Sequence, residues 1–382
     1  MNYDLSHNLI LQVAGTKRVT LLPPSAHRRL HLYPYWHGSG QQAQQERSAS
    51  HAAFEQDHVA EEHHTAAHHA HVAHAALWDF IEKHQKKPFF AYVPFSMVHT
   101  RLDASPKFKG KSPRGLYGDT VEEIDFNCGR IIDKLKQLKL VDNTYFLFTS
   151  DNGPWLIKNK NKQDGKLPGD HGGSAGGLRS GKVSTWEGGV RVPTILWAPG
   201  RVPAGTECDK IAATIDLLPT FAGLAGAEVP TDRVLDGVDI ASLFAGKFGE
   251  ADEDRPFAYY FINSLQAVRQ GKWKLHLPRP AQPEWLGQFG KNGHIAEKDW
   301  AGFKEPFLVD LEADPGETRS VAAEHPGVVK RLLALAEDMR ADIGDHDRVG
   351  KNMRFFDPLE ERPEKPMFIG LKRRAKPKGP KK

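Results

Sequence analysis

Asp151 and Asn152 stand side by side where the apolar run TYFLFTS ends, and two hard oxygen ligands at a strand end are a start on a Ca²⁺ or Mg²⁺ site. Ca²⁺ takes about six or more oxygens, so this pair alone holds nothing, and Asp-Asn-Gly is also a common turn signal. Lys182 lies in the glycine-rich stretch GGSAGGLRSGK, where backbone amides and an ammonium could approach an oxyanion. The spacing is not that of a phosphate-binding P-loop. His99 follows PFFAYVPFSMV, where a strand would deliver an imidazole able to donate to an anion or to protonate a leaving group. A histidine at a strand end can equally be satisfied by a neighbour.

For these groups to act together, one sheet edge must collect them. PFFAYVPF is a short, nearly continuous apolar run of the kind that makes a fully buried strand, and TYFLFTS and PTILWAP repeat the pattern. Over residues 119–139, Val121, Ile124, Cys128, Ile131, Leu135 and Leu138 recur at three- and four-residue spacing, which predicts one apolar helix stripe. WDFIEKH reads as a helix end and IDLLPTFAGLAG as a further helical segment. Helices alternating with buried strands predict an α/β domain, a mostly parallel sheet with helices on both faces, over residues 72–250. In such sheets ligands bind at the C-terminal strand ends, where Asp151 and His99 fall. FAYYFI, AVRQ, KWKLHL and FLVDL, followed by a helix over 325–342, predict a small antiparallel sheet plus helix subdomain over 251–345.

The 382 residues are enough to bury a real core, in one large or two modest domains. The net charge is +4, but the last twelve residues, LKRRAKPKGPKK, hold seven bases and no acid; without them the charge is −3. A basic footprint for nucleic acid is thus absent from the body, and the tail at 346–382 reads as a solvated end. Two cysteines, Cys128 and Cys208, are too few for a disulfide framework. No apolar run approaches the ~18 residues of a membrane span. The opening MNYDLSHNLI has no apolar core of a cleavable leader, so a secretory route is not expected for the chain as written.

Taken in order, PFFAYVPFSMVHTRLD, LKLVDNTYFLFTSDNGPW, DHGGSAGGLRSGKVSTWEGGVRVPTILWAPGRVPAG and TIDLLPTFAGLAGAEVPTDRVLDGVDIASLF resemble the second half of a sulfatase of the arylsulfatase type. That family lies within the alkaline-phosphatase-like superfamily. LVDLEADPGETRSVAAEHPGVVKRL is similar to its C-terminal subdomain, so the likeness covers about residues 75–345. The resemblance implies hydrolysis of sulfate esters, a divalent metal that is usually Ca²⁺ held in part by Asp151 and Asn152, and contacts of Lys182 and His99 with the sulfate and the leaving oxygen. It implies a sulfated small molecule or glycan as partner and a family that is usually secretory, lysosomal or extracellular. Glu187, in TWEGG, is read as structural.

Sulfatases of this type also carry two metal-binding aspartates on their first strand and a Cys or Ser in C-x-P-x-R or S-x-P-x-R, oxidised to a formylglycine nucleophile. Neither Cys128 (CGRII) nor Cys208 (CDKIA) has that context, and SPRG at 112–115 lacks the spacing. The expectation is that the N-terminal half of the catalytic domain, ~150 residues by typical domain size, is not in this chain. Covalent sulfate transfer needs an activated nucleophile, so the chain is expected to be catalytically incomplete.

The front of the chain is different material. LILQV and RVTLL around AGTK predict a hairpin within residues 1–38, a stretch that resembles a fragment of a Jumonji-C, cupin-type 2-oxoglutarate hydroxylase. Asp4 and Lys17 fall at two of that family's positions, but the iron-binding histidine is replaced by Asn2, and an oxygenase is not expected. Residues 39–71 are Gln- and His-rich; His64, His68 and His71 at i, i+4, i+7 could line a Zn²⁺ or Ni²⁺ site, against a low-complexity linker as the plainer reading. Two partial domains joined this way suggest a chimeric transcript. Three functions therefore compete: a sulfuric ester hydrolase, a non-catalytic anion or sulfated-glycan binding module, and a related metal-dependent phosphoester hydrolase.

Overall fold

The structure, a computed structural model, describes residues 8–13, 77–95, 97–99, 102–155, 173–232, 234–250, 254–279, 302 and 304–353. The His-rich stretch, residues 354–382 of the basic tail, and Asn2, Asp4 and Lys17 lie outside the described residues, whereas residues 346–353 of that tail belong to the smaller unit.

Phe90–Pro94 (β2) and Thr144–Thr149 (β3) run in the same direction, because each pairs antiparallel with Asn8–Val13 (β1), which lies between them. Thr194–Trp197 (β4) pairs antiparallel with β3 and completes the order β2-β1-β3-β4. The α/β class stands, but the expected mostly parallel pairing gives way to antiparallel pairing at each described interface. The reason lies in the connections. Gly115–Gln137 (α2) forms the crossover from β2 to β3, and a helical crossover returns the chain in the same sense. β1 lies between them against their direction, and β4 runs against β3. Both edges of β1 are thereby occupied; the hairpin partner expected at 18–22 lies outside the described residues.

β3 shows how helices come to cover both faces. Phe146 points into a core with Ile81, Val93, Ile124, Ile131 and Leu135, beneath the helical residues 77–84 (α1) and α2. Tyr145 and Leu147, one residue to either side, point the other way against Phe221 and Phe244. Those two belong to Leu217–Leu224 and Ala241–Phe244, separated from α2 along the chain by the four-residue helix Glu187–Val190; in chain order these are α4, α5 and α3. On α2, Ile124, Ile131 and Leu135 are buried as the stripe predicts. Val121 is 43% exposed instead, because the buried line begins with Asp119 and Thr120, whose polar groups are satisfied locally.

Residues 254–353 build the second, smaller unit. Phe257–Phe261 (β5), Ser264–Gln270 (β6), Trp273–His276 (β7) and Phe307–Asp310 (β8) form an antiparallel meander in that order. Pro326–Asp342 (α6) closes it, with proline in its first turn where no intrahelical donor is lost, and packs Leu332 and Ala336 on Leu265, Leu275 and Leu308. Buried ion pairs tie the two units together; the Asp216 carboxylate receives both terminal nitrogens of Arg255, at 2.7 and 2.8 Å.

Candidate functional site

β3 ends at Thr149, whose hydroxyl meets that of Thr194 at 2.9 Å, and the chain then turns sharply. The Ser150 hydroxyl donates to the Asn152 carbonyl at 2.9 Å, which fixes half-buried Asp151 and Asn152 at the sheet edge. The following residue needs to be glycine: a Cβ on Gly153 would stand 1.8 Å from the Gly188 carbonyl oxygen. This close approach lets the Gly153 amide donate to the Gly189 carbonyl at 2.9 Å, while the Lys182 amide donates to the Pro154 carbonyl at 2.9 Å. Two backbone bonds thus lay the lysine-bearing loop against the Asp-Asn turn, and Lys182 is buried there. Ser180 at φ 64 and Val183 at φ 69 bracket it in left-handed backbone, a costly conformation for a β-branched residue that surrounding structure must hold.

His99 is half-buried five residues beyond β2. Pro94 and Thr149 both face Asn8, so β2 and β3 release their chains at the same edge, two strand spacings or ~10 Å apart. The structure therefore joins Asp151, Asn152 and Lys182 through backbone bonds and brings His99 to the same edge. On β2, burial and the charge of Asp151 both raise the Tyr92 phenol. From the helical side, the Tyr117 hydroxyl and the Pro154 side chain crowd Gly173, at 2.5 and 3.2 Å from where a Cβ would stand.

Beneath the lysine loop lies a charge network that strand periodicity alone could not announce. On β7, Lys274 and His276 share the face turned toward the loop, and both are fully buried. The Lys274 ammonium donates to the Thr185 carbonyl and to Glu187 Oε1, each at 2.8 Å, and lies 3.0 Å from Glu317 Oε1. Glu317 Oε2 accepts the Glu187 amide at 2.5 Å, and its carbonyl accepts an Arg179 N–H at 2.8 Å. The Arg179 guanidinium stacks 3.6 Å over the Trp186 ring. The smaller unit thus grips residues 179 and 185–187, on both sides of Lys182. Glu187 is a buried structural anchor.

Burial alone would raise the Glu317 carboxyl, but the charge of Lys274 and the hydrogen bond from His276 hold it at about 2. Burial would lower Lys274, yet Glu317 and Glu187 keep it at about 12. His276 is pushed down to about 3 by burial, against the pull of Glu317. The imidazole is therefore neutral, and since an ionised carboxylate only accepts, Nε2 carries the proton it donates to Glu317 at 2.8 Å.

Asp151 and Asn152 offer hard oxygens of the kind Ca²⁺ takes, though two are fewer than it needs. A second carboxylate-imidazole group, Asp345, His346 and Asp347, lies on the hairpin Gly344–Asp345 (β9) and Arg348–Val349 (β10). Asp345 is already committed there, accepting from the Leu265 and His346 amides and from Arg340, so the group serves packing. Cys128 offers no alternative nucleophile: burial, then the charge of Asp125, pushes its thiol up to about 12.

The sequence model of the Sulfatase family matches residues 31–227, and that of the C-terminal region of aryl-sulfatase matches 252–361. N-acetylgalactosamine-6-sulfatase of Canis lupus familiaris is 42% identical over 269 residues, covering 70% of this chain and 45% of its own length. Steryl-sulfatase of Homo sapiens is 37% identical over 275 residues, with 68% and 45% covered. The chain spans about half the length of the curated relatives it matches. Among solved structures, a Bacteroides thetaiotaomicron protein described with the metabolism of multiple glycosaminoglycans superposes with TM-score 0.60 at 30% identity, over 72% of this chain and 55% of its own. The sulfatase PsFucS1 from Pseudoalteromonas sp. superposes with TM-score 0.57 at 25% identity, over 74% and 56%. Among the described residues no helix is long and apolar enough to cross a membrane.

Proposed function

Because the chain belongs to the sulfatase family, we propose that it carries the sulfate- and metal-binding part of a sulfuric ester hydrolase site, with Lys182 and His99 on the sulfate ester and Asp151 and Asn152 on a divalent cation. The observation that carries this reading is the bond from the Lys182 amide to the Pro154 carbonyl, which sets the lysine beside the Asp-Asn turn. In a buried setting an ammonium neutralises a sulfate oxygen far more strongly than in water, and the clamp on residues 179 and 185–187 keeps it aimed without reorganisation. His99, at the same sheet edge, would donate a proton to the ester oxygen as it leaves. Ca²⁺, when bound through Asp151 and Asn152 with further oxygens, would draw charge from the sulfate.

Within these 382 residues no C-x-P-x-R or S-x-P-x-R occurs, and the Cys128 thiol stays protonated. This favours, as a second reading, sulfated-ligand binding without turnover by these residues alone. Titration of the chain with 4-nitrocatechol sulfate and Ca²⁺ tests both. Saturable binding that Lys182→Ala weakens about tenfold or more, in the range expected for hydrogen bonds to charged groups, is the expected result. Unchanged binding in both Lys182→Ala and Asp151→Asn would reject the site. Release of the catechol by wild type would reject the second reading.

A further inference from the structure

Residues 107–114, KFKGKSPR, carry Lys107, Lys109, Lys111 and Arg114, all exposed, with no acid between residues 104 and 118. The two flanking carboxylates are already engaged. Asp119 is buried and accepts the amides of Gly110, Lys111 and Ser112 at 2.7–3.0 Å, and Asp103 pairs with Lys109 at 2.8 Å. Lys107 lies 3.3 Å over the Phe126 ring, which is itself 39% exposed. Lys111 and Arg114 make no ion pair among the described residues. The loop is also held in one shape, since three successive amides converge on a single carboxylate and Gly118 leaves no room for a side chain beside Ser112.

Its position links it to the site described above. Arg114 caps α2 three residues before Tyr117, so the two backbones lie within about 11 Å of each other, and Tyr117 reaches Gly173 and Pro154 beside the Asp-Asn turn. The nearest exposed acid along α2 is Glu122, eight residues from Arg114 or about 12 Å at helical rise, beyond the ~8 Å over which exposed charges act at physiological salt. A preorganised cationic strip with an aromatic neighbour thus borders the place where the sulfate is expected.

We infer that residues 107–114, with Lys111 and Arg114 foremost, form an anion subsite at the rim of this site, which reads a second negative group on the ligand. The ligand class is a sulfated glycan with two or more anionic groups on neighbouring sugars, in preference to a monosulfate on a neutral apolar body. The inference rests on the sulfate-binding reading of Lys182, and the test separates the two.

The full chain is titrated with a fluorescent chondroitin sulfate hexasaccharide and, separately, with estrone sulfate, at 50 and 200 mM salt. Removing two exposed cations in Lys111→Ala/Arg114→Ala should weaken the hexasaccharide about three- to fivefold per side chain and flatten its salt dependence, while estrone sulfate binding and the melting temperature stay unchanged. Arg114→Gln alone should act in the same direction. Hexasaccharide binding equal to wild type in both variants, with Lys182→Ala still weakening it, overturns the rim subsite and spares the site. Unchanged binding of both ligands in Lys182→Ala overturns the site reading, whatever the rim variants do. A duplex DNA of equal charge that competes as well as the hexasaccharide, with the same sensitivity to the double variant, overturns the glycan class.

Discussion

Replacing Lys274 by methionine keeps the length and apolar stem of the side chain but removes the one ammonium between Glu187 and Glu317. Both carboxylates are almost wholly buried, and Lys274 Nζ lies 2.8 and 3.0 Å from them. Breaking a buried pair by removing one partner leaves an uncompensated charge and costs about 3–5 kcal/mol. For a structured body of this size that corresponds to a fall in Tm of roughly 6–20 °C, at about 2–4 °C per kcal/mol. Urea unfolding at pH 7 followed by tryptophan fluorescence suits the measurement, since Trp186 stacks between Arg179 and His276 inside the network. Combining Lys274→Met with Glu187→Gln should recover part of the loss, with a coupling of about 0.5–3 kcal/mol in the double-mutant cycle. Sulfate-ester affinity should fall with stability, because the Thr185 carbonyl and Glu187 lose the donor that holds them near Lys182. A loss below 1 kcal/mol with no coupling would show that water screens the pair and that the clamp does not exist.

Acid should act on the same network. His276, lowered to about 3 when folded, stays neutral while the unfolded chain takes up its proton near 6.5; its contribution is full above pH 6.5 and lost as pH falls toward 3. Glu317, lowered to about 2, adds stability that is present above its unfolded value near 4.5 and lost as pH falls through about 2. Chemical denaturation across pH 5–6 should show a slope component of about 1 kcal/mol per pH unit that His276→Gln removes, and an unchanged slope would refute the assignment. With a thiol-specific chromogenic reagent at pH 8, exposed Cys208 should react at once and Cys128 only after unfolding; two fast thiols would contradict the raised Cys128 value. Gly153→Ala should cost more than 2 kcal/mol and abolish Lys182-dependent binding, since its Cβ meets backbone rather than a yielding side chain; calorimetry and titration on one sample check both.

Local periodicity made much of this protein legible before any coordinates. The apolar stripe of α2, the buried run of β3, the four short strands of the smaller unit and α6 all follow from side-chain spacing, because helix and strand periods are set within a few residues. The long central motif likewise carried the family. Other features depended on segments far apart in the chain. The direction of β1 was not readable, since nothing local says which strands the six residues NLILQV will join. Nor was the fate of KWKLHL: its second lysine and its histidine look like a solvent face, yet they lie wholly inside the protein. Only the approach of Glu187 and Glu317, 87 and 43 residues away in the chain, supplies the charges that make burying them tolerable. Residue type determines which groups can do chemistry, but the cost of burying a charge is decided by what tertiary structure brings within about 3 Å of it.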